Sequence, residues 1–189
     1  MSGRRSWLYV AGVLGPFGGG VMNPMVPELR EAFGVGTGAL AWGFTGYLLP
    51  FAVLLLVSGT VAARWGVART LRIAFVLYVP ATLACVWAPT FAWFIAGRVS
   101  QGALNAFMTP LLLASLVDAA APERLGRTVG RYAAFQSLGQ LMSPVAGGFA
   151  ADVDWRLAFV GVAVVSAAVA VMLPPGGAAG AAPPGGAAP

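Results

Sequence analysis

The sequence predicts an all-α membrane protein with six transmembrane helices, and three observations support that fold class. Of the 189 residues, 59% are hydrophobic and 9% are charged, whereas a soluble globular domain carries about 25% charged residues. The charges fall between long apolar segments, and about 20 apolar residues let a helix cross the hydrocarbon core of a bilayer. Arginines also concentrate at alternate connections, as they do where cytoplasmic loops are basic.

The first three predicted spans are bounded by charges and by turn-forming residues. Segment 7–26 carries no charge, and a second span lies within the charge-free run 32–63. The third span, 70–88, ends before Pro89 and Thr90, because such a pair favours a tight turn.

The last three predicted spans are less uniformly apolar. The fourth, 91–117, contains one charge, Arg98. The fifth and sixth cover 131–151 and 156–173. Residues 1–173 are therefore expected to form one six-helix bundle.

Both ends of the chain carry features of their own. At the N-terminus, residues 4–8 resemble a twin-arginine export signal. We favour Arg4 and Arg5 as cytoplasmic anchors instead, because five further hydrophobic spans follow. Segment 174–189 contains only Pro, Gly and Ala, which cannot build a core, so it is expected to be a disordered tail.

The arginines orient the predicted bundle. An even number of crossings places both termini on one side, and basic residues mark the cytoplasmic side. With cytoplasmic termini, eight arginines face inward, namely Arg4, Arg5, Arg64, Arg69, Arg72, Arg124, Arg127 and Arg131. Only two, Arg30 and Arg156, face outward. The prediction is a multi-pass protein of the plasma or inner membrane. The tryptophans near the span ends are typical of interfacial aromatics; these are Trp7, Trp87, Trp93 and Trp155.

The residue inventory excludes several kinds of chemistry. The chain has no His and a single Cys, Cys85, so it cannot build a His-dependent nucleophilic site or a His-containing zinc site. Asp118 is the one candidate acid near a helix end, and it lacks a partner base. We expect no enzyme activity and no cofactor. The net charge of +5 is too dispersed to follow a nucleic-acid backbone, so the expected partner is the lipid bilayer.

A polar stripe crosses the fourth predicted span. Arg98, Gln101, Asn105 and Thr109 recur at three- and four-residue spacing, so they share one helix face. An arginine at the bilayer centre costs about 2.5–3.5 kcal/mol, and no acid lies within a predicted span to pair with it. The stripe is expected to face the bundle interior, where it lines an aqueous cavity or forms a structural hydrogen-bond network.

The fifth predicted span carries a second pattern of small and polar residues. Glycine and serine spaced by four let helix backbones approach closely, and a proline removes one backbone donor and bends the helix. The residues concerned are Gln136, Gly139, Gln140, Ser143, Pro144, Gly147 and Gly148. They indicate either close packing or a pivot in a moving helix. Asn23 and Tyr47 add polarity to the first two spans.

Four motifs in this order resemble the N-terminal six-helix half of drug–proton antiporter-like members of the major facilitator superfamily. GTVAARWGVAR at 59–69 is similar to the loop between the family's helices 2 and 3. RVSQGALNA at 98–106 resembles the helix 4 motif, and GQLMSPVAGG at 139–148 resembles the antiporter motif of helix 5. The segment from Asp154 resembles the lead into helix 6. Two positions depart from the pattern, Ala63 for an acid and Ser143 for a glycine.

The resemblance implies transport of small solutes by alternating access, in which two six-helix halves rock around a central site. It implies a gating loop comprising Gly59, Arg64, Gly66 and Arg69, and a helix 5 pivot comprising Gly139, Ser143, Pro144, Gly147 and Gly148. The cavity-lining residues expected are Asn23, Tyr47, Arg98, Gln101, Asn105, Gln136 and Gln140. The expected function is export of drugs or metabolites, with a second six-helix half or a second copy as partner. The alternative is a truncated or non-transporting subunit with a structural or regulatory role.

Overall fold

A computed structural model of the chain describes residues 2–173, with side chains from Ser6 onward. This part is helical, and it contains no strand. The helices are α1 Ser2–Gly20, α2 Val26–Phe33, α3 Thr37–Trp65, α4 Val67–Val86, α5 Phe91–Asp118, α6 Leu125–Val153 and α7 Arg156–Met172. The tail predicted at 174–189 lies outside the described residues, as do the side chains of Arg4 and Arg5.

The first predicted span differs most from the structure. Helix α1 ends at Gly20, and a 3-10 turn at Asn23–Met25 leads into the short helix α2. Pro24 and Pro27 lie in the first turns of these two elements. Because proline lacks an amide hydrogen, it fits the first turn of a helix without the loss of an intrahelical hydrogen bond. The sequence reading therefore placed the end of the first span too late and missed α2.

Length and apolar composition single out three described helices as able to cross a membrane, α3, α4 and α5. Helix α7 is apolar but has only 17 residues. Helix α6 is long, at 29 residues, but glycine, serine and glutamine lower its apolar content. The six crossings predicted from the sequence therefore remain a prediction, although the six long helices follow the predicted segments.

Helix α5 lies at the centre of the packing. It packs along α3 and α4, while α1 packs along α6 and α4 packs against α7. Near the start of α7, Trp155 is 4% exposed and its ring meets those of Phe94 and Phe159 edge-on. Trp155 is therefore a core residue. Of the four tryptophans expected at the membrane interface, only Trp7, Trp87 and Trp93 are exposed.

The connection between α3 and α4 consists of Gly66 alone. Gly59 lies inside α3, so the predicted loop at 59–69 is mostly helical. Gly66 adopts φ +85° and ψ 136°, and its amide donates to the Ala62 carbonyl oxygen over 2.8 Å. Residues other than glycine are strongly disfavoured in this backbone conformation. A glycine is therefore required for so short a reversal.

We expect Gly66→Ala to lower the free energy of unfolding by about 1–3 kcal/mol, since the positive φ strains an L side chain. Unfolding in mixed detergent micelles measures the effect. Gly59→Ala is the matched control, because Gly59 is helical and an added Cβ there meets no atom within 4 Å. The control is expected to raise stability by up to about 1 kcal/mol through helix propensity. Equal effects of the two changes would contradict the argument.

Candidate functional site

The site begins where α3 and α5 touch. A Cβ added to Gly102 would overlap the Tyr47 carbonyl group, so the two helix backbones are in direct contact. This contact sets the Tyr47 ring between α1 and α5. The Tyr47 hydroxyl donates to the Gly15 carbonyl oxygen over 3.1 Å, and the side chain is 2% exposed. A glycine at the helix crossing thus positions an aromatic side chain in the interior.

Arg98 is fully buried between α1, α3 and α5. Its Nε donates to the Gly43 carbonyl oxygen over 3.3 Å, and its Nη1 donates to the Gly18 carbonyl oxygen and to Gln101 Oε1, each over 2.9 Å. The guanidinium carbon lies 4.3 Å from the Tyr47 ring centroid. Backbone carbonyls, an amide and a ring face therefore surround the cation, and no acid pairs with it among residues 2–173.

The network continues from α5 into α4. Gln101 Nε2 donates to Thr82 Oγ1 over 2.9 Å, and Thr82 Oγ1 donates to the Tyr78 carbonyl oxygen over 2.7 Å. The Cys85 Sγ lies 3.8 Å from Gln101 Oε1. Both oxygens that Gln101 and Thr82 present are thereby satisfied, as buried polar atoms require. The chain of bonds fixes the Gln101 amide that holds Arg98.

Near this network, Arg98 Nη2 has no hydrogen-bond partner among the described residues, and the Tyr78 hydroxyl lies beside that of Tyr47. The Arg98 and Tyr78 side chains are both fully buried. Gly18 adjoins both residues, since its carbonyl accepts from Arg98 and a Cβ on it would lie 2.7 Å from Tyr78 Oη. The space beside Gly18 therefore has no room for a side chain.

A cleft of about 450 Å3 opens beside this network, between α1, α3, α5 and α6. Uncharged polar side chains contribute much of its wall, namely Asn23, Tyr47, Asn105, Thr109, Gln136 and Gln140. Pro16, Leu48 and Phe51 supply apolar wall, and no charged residue lines the cleft within the described part of the chain. Leu48, Gln140 and Pro144 are exposed, so the cleft reaches the surface. The arrangement offers both polar and apolar contacts, as an amphipathic solute requires.

The predicted site residues separate into two layers. Five of the seven expected cavity residues line the cleft, Asn23, Tyr47, Asn105, Gln136 and Gln140. The other two, Arg98 and Gln101, lie outside the cleft wall and are buried, and Tyr47 stands between the cleft and the cation. The polar stripe of α5 is thus divided. Arg98 bonds to α1 and α3, and Gln101 bonds to Thr82 on α4. The last two polar residues line the cleft.

The small residues of α6 form a seam with α1. A Cβ on Gly139 would overlap the Val13 carbonyl oxygen, and one on Gly147 would lie 2.6 Å from the Val21 carbonyl oxygen. Between them, Ser143 Oγ donates to the Phe17 carbonyl oxygen over 3.0 Å. Pro144 and Gly148 lie off this contact, and an added Cβ on Gly148 meets no atom. Helix α6 is continuous through Pro144.

The basic residues beside Gly66 lie apart from the cleft. Arg64 and Arg69 are exposed, and neither forms an ion pair with any residue that the structure describes. The position before Arg64 is Ala63, so no acid from α3 is available there.

Sequence reasoning missed several groups that hold the site together. The carbonyls of Gly15, Gly18 and Gly43 accept from the site side chains, and backbone acceptors leave no signal in the residue pattern. Tyr78 and Thr82 are different, because they form an i, i+4 polar pair in an otherwise apolar segment. That spacing places both on one helix face and was a usable signal.

The fold and the cleft together define a helical membrane protein with a solute-sized polar cleft. The chain belongs to the Major Facilitator Superfamily, a family of membrane transporters, and the family model matches residues 8–187.

Relatives in this family include a protein of Streptomyces coelicolor described as "Probable actinorhodin transporter". It is 31% identical over 185 residues, which cover 90% of this chain and 32% of that protein. "Multidrug resistance protein Stp" of Mycobacterium tuberculosis is 32% identical over 142 residues, or 74% of this chain and 26% of that protein. "Drug efflux pump JefA" of the same species is 29% identical over 141 residues, covering 74% and 28% respectively. The chain thus spans about a third or less of the length of these relatives.

Among solved structures, a D-xylose–proton symporter superposes on this chain with a TM-score of 0.76 at 16% sequence identity. The match covers 89% of this chain and 46% of the symporter. At that identity the likeness establishes the fold alone.

Proposed function

We propose that this chain is one six-helix half of an exporter of small amphipathic solutes, working by alternating access with a second half. The observation that carries the proposal is the uncharged polar cleft between α1, α3, α5 and α6. Polar groups in a membrane bundle are costly, so a cleft lined by them is a functional feature. The name of the relative "Drug efflux pump JefA" supports this direction of transport.

The open side of the cleft supports the need for a partner. Leu48, Gln140 and Pro144 line the cleft and are exposed, so its open side is not covered by this chain's described residues. In the proposed assembly a second six-helix half, or a second copy of this chain, covers the cleft. Helix α6 moves along α1 as the pivot, with Ser143 at the seam.

In this proposal the six long helices all cross the plasma or inner membrane, with both termini in the cytoplasm. The reversal at Gly66, with Gly59, Arg64 and Arg69 around it, then forms a cytoplasmic gate. Arg98 organises the network behind the cleft. Because the described cleft has no carboxylate, an acid that couples transport to protons belongs to the partner half.

The test is efflux of a fluorescent aromatic dye from vesicles under a proton gradient. One arm contains this chain alone, and the other contains it together with the part of the Streptomyces coelicolor relative that it does not match. Efflux is expected only in the second arm. Asn105→Leu should reduce the rate about 10-fold, since it removes a polar group from the cleft wall. Ser100→Leu is the matched control, because Ser100 is exposed on the same helix and does not line the cleft.

The closed hydrogen-bond network around Arg98 fits a second candidate function, in which the buried polar groups are structural. In that alternative the chain is a non-transporting subunit with a structural or regulatory role. A stable monomer in detergent, with no efflux in either arm, would support the alternative and contradict transport.

A further inference from the structure

We propose that the cleft selects its solutes by charge, binding aromatic anions more tightly than neutral aromatics and excluding aromatic cations. The inference deepens the proposed function, on which it rests, by naming the substrate class. Three features carry it: a cation without a paired acid directly behind the wall, amide donors on the wall, and apolar surface for an aromatic body.

The first feature is the buried guanidinium of Arg98. The guanidinium carbon of Arg98 lies 4.3 Å from the centroid of the Tyr47 ring, and Tyr47 lines the cleft. A single ring therefore separates the charge from the space where a solute sits. No described acid neutralises Arg98, and a low-dielectric surrounding screens a charge weakly. The cleft consequently has a positive potential, although none of its own lining side chains is charged.

The second feature is the set of amide hydrogen-bond donors on the cleft wall. Thr109 Oγ1 donates to Asn105 Oδ1 over 3.2 Å, so the oxygen of that amide is already engaged. Asn105 lines the cleft, and no charged residue of the described chain does, so its amide nitrogen can donate to a solute. Gln140, on the exposed rim, adds a further amide. A carboxylate can accept from such groups, whereas a quaternary ammonium cannot use them.

The third feature is the apolar surface of the cleft, which includes the Tyr47 ring. An aromatic face attracts cations, but one face of this ring already carries the Arg98 guanidinium. A second cation against the ring would meet a positive charge on the far side. Phe51 and Leu48 provide apolar wall for an aromatic body instead. A volume of about 450 Å3 falls within the range of small-molecule pockets.

The test measures binding of three matched probes, a naphthalene that carries a carboxylate, a hydroxyl or a trimethylammonium group. The full chain is placed in nanodiscs of zwitterionic lipid, and empty nanodiscs correct for partition into the bilayer. The anion is expected to bind at least about 10-fold tighter than the cation, with the neutral probe between them. Equal affinities, tighter binding of the cation, or no binding by any probe would overturn the proposal.

Two variants of the exposed Gln140 test the electrostatic cause without disturbing buried groups. Gln140→Glu places a carboxylate on the wall, so the anion-to-cation affinity ratio should fall at least about 10-fold. Gln140→Met removes the amide but adds no charge, so the anion should still be preferred. If the anion-to-cation affinity ratio of Gln140→Glu equals that of the parent, electrostatics does not cause the selectivity. If the probes bind in the expected order but the vesicles show no efflux in either arm, the transport proposal fails and the charge selectivity stands.

Discussion

Replacing Arg98 by methionine is expected to lower the free energy of unfolding by about 3 kcal/mol and to abolish dye efflux. The side chain makes three hydrogen bonds to groups on α1, α3 and α5. Bonds from a charged donor contribute roughly 1.5–3 kcal/mol each. Burying the charge costs several kcal/mol, so the net effect is smaller than the sum of the bonds. Gln101 Oε1 and the Gly18 carbonyl then lose a partner within the core.

The variant Arg98→Lys distinguishes the contribution of the guanidinium's planar shape from that of its positive charge. An ammonium retains the positive charge, but it lacks the planar fork that reaches several fixed acceptors at once. We expect Lys to destabilise the protein at least as much as Met, because the charge stays buried with fewer bonds. Unfolding in mixed micelles measures both variants, and Arg64→Met is the control, since Arg64 is exposed. A methionine variant as stable as the parent would show that the network is dispensable.

The change Gly102→Ala is expected to have a comparable effect, about 3 kcal/mol or more. The added Cβ would overlap the Tyr47 carbonyl group, and a backbone group cannot rotate away as a side chain can. Helices α3 and α5 must therefore separate along their crossing. That movement also shifts the Tyr47 ring away from Arg98.

Gly148→Ala is the matched control for this effect. Gly148 is helical, and a Cβ there meets no atom within 4 Å. Its replacement is expected to stabilise α6 by up to about 1 kcal/mol, which is the helix-propensity difference. If both alanine variants unfold at the same denaturant concentration, the close approach of α3 and α5 does not restrict position 102 to glycine.

Much of the fold was predictable because a bilayer imposes a simple rule on sequence. Charges and turn residues bound most of the long helices within a few residues, and the motifs at 98–106 and 139–148 indicated the family. Helix α6 is different, because it begins at Leu125 and contains Arg127 and Arg131, which were expected to precede or open the span. The first span was a second exception, since Pro24 and Pro27 end one helix and begin another without any charge to mark the break. Gly59 was likewise assigned to a loop, because glycine in an apolar helix looks the same as glycine in a turn.

The residue pattern alone determined the helical membrane class, the order of the six long segments and the shared face of Arg98, Gln101, Asn105 and Thr109. Only the tertiary structure decided which part of that face meets the cleft and which part is sealed behind Tyr47. The physical reason is that helical periodicity specifies the direction of a side chain but not its neighbour. The neighbours of Arg98 are backbone carbonyls of Gly18 and Gly43, and these reach the cation only once glycine contacts have drawn the helices together.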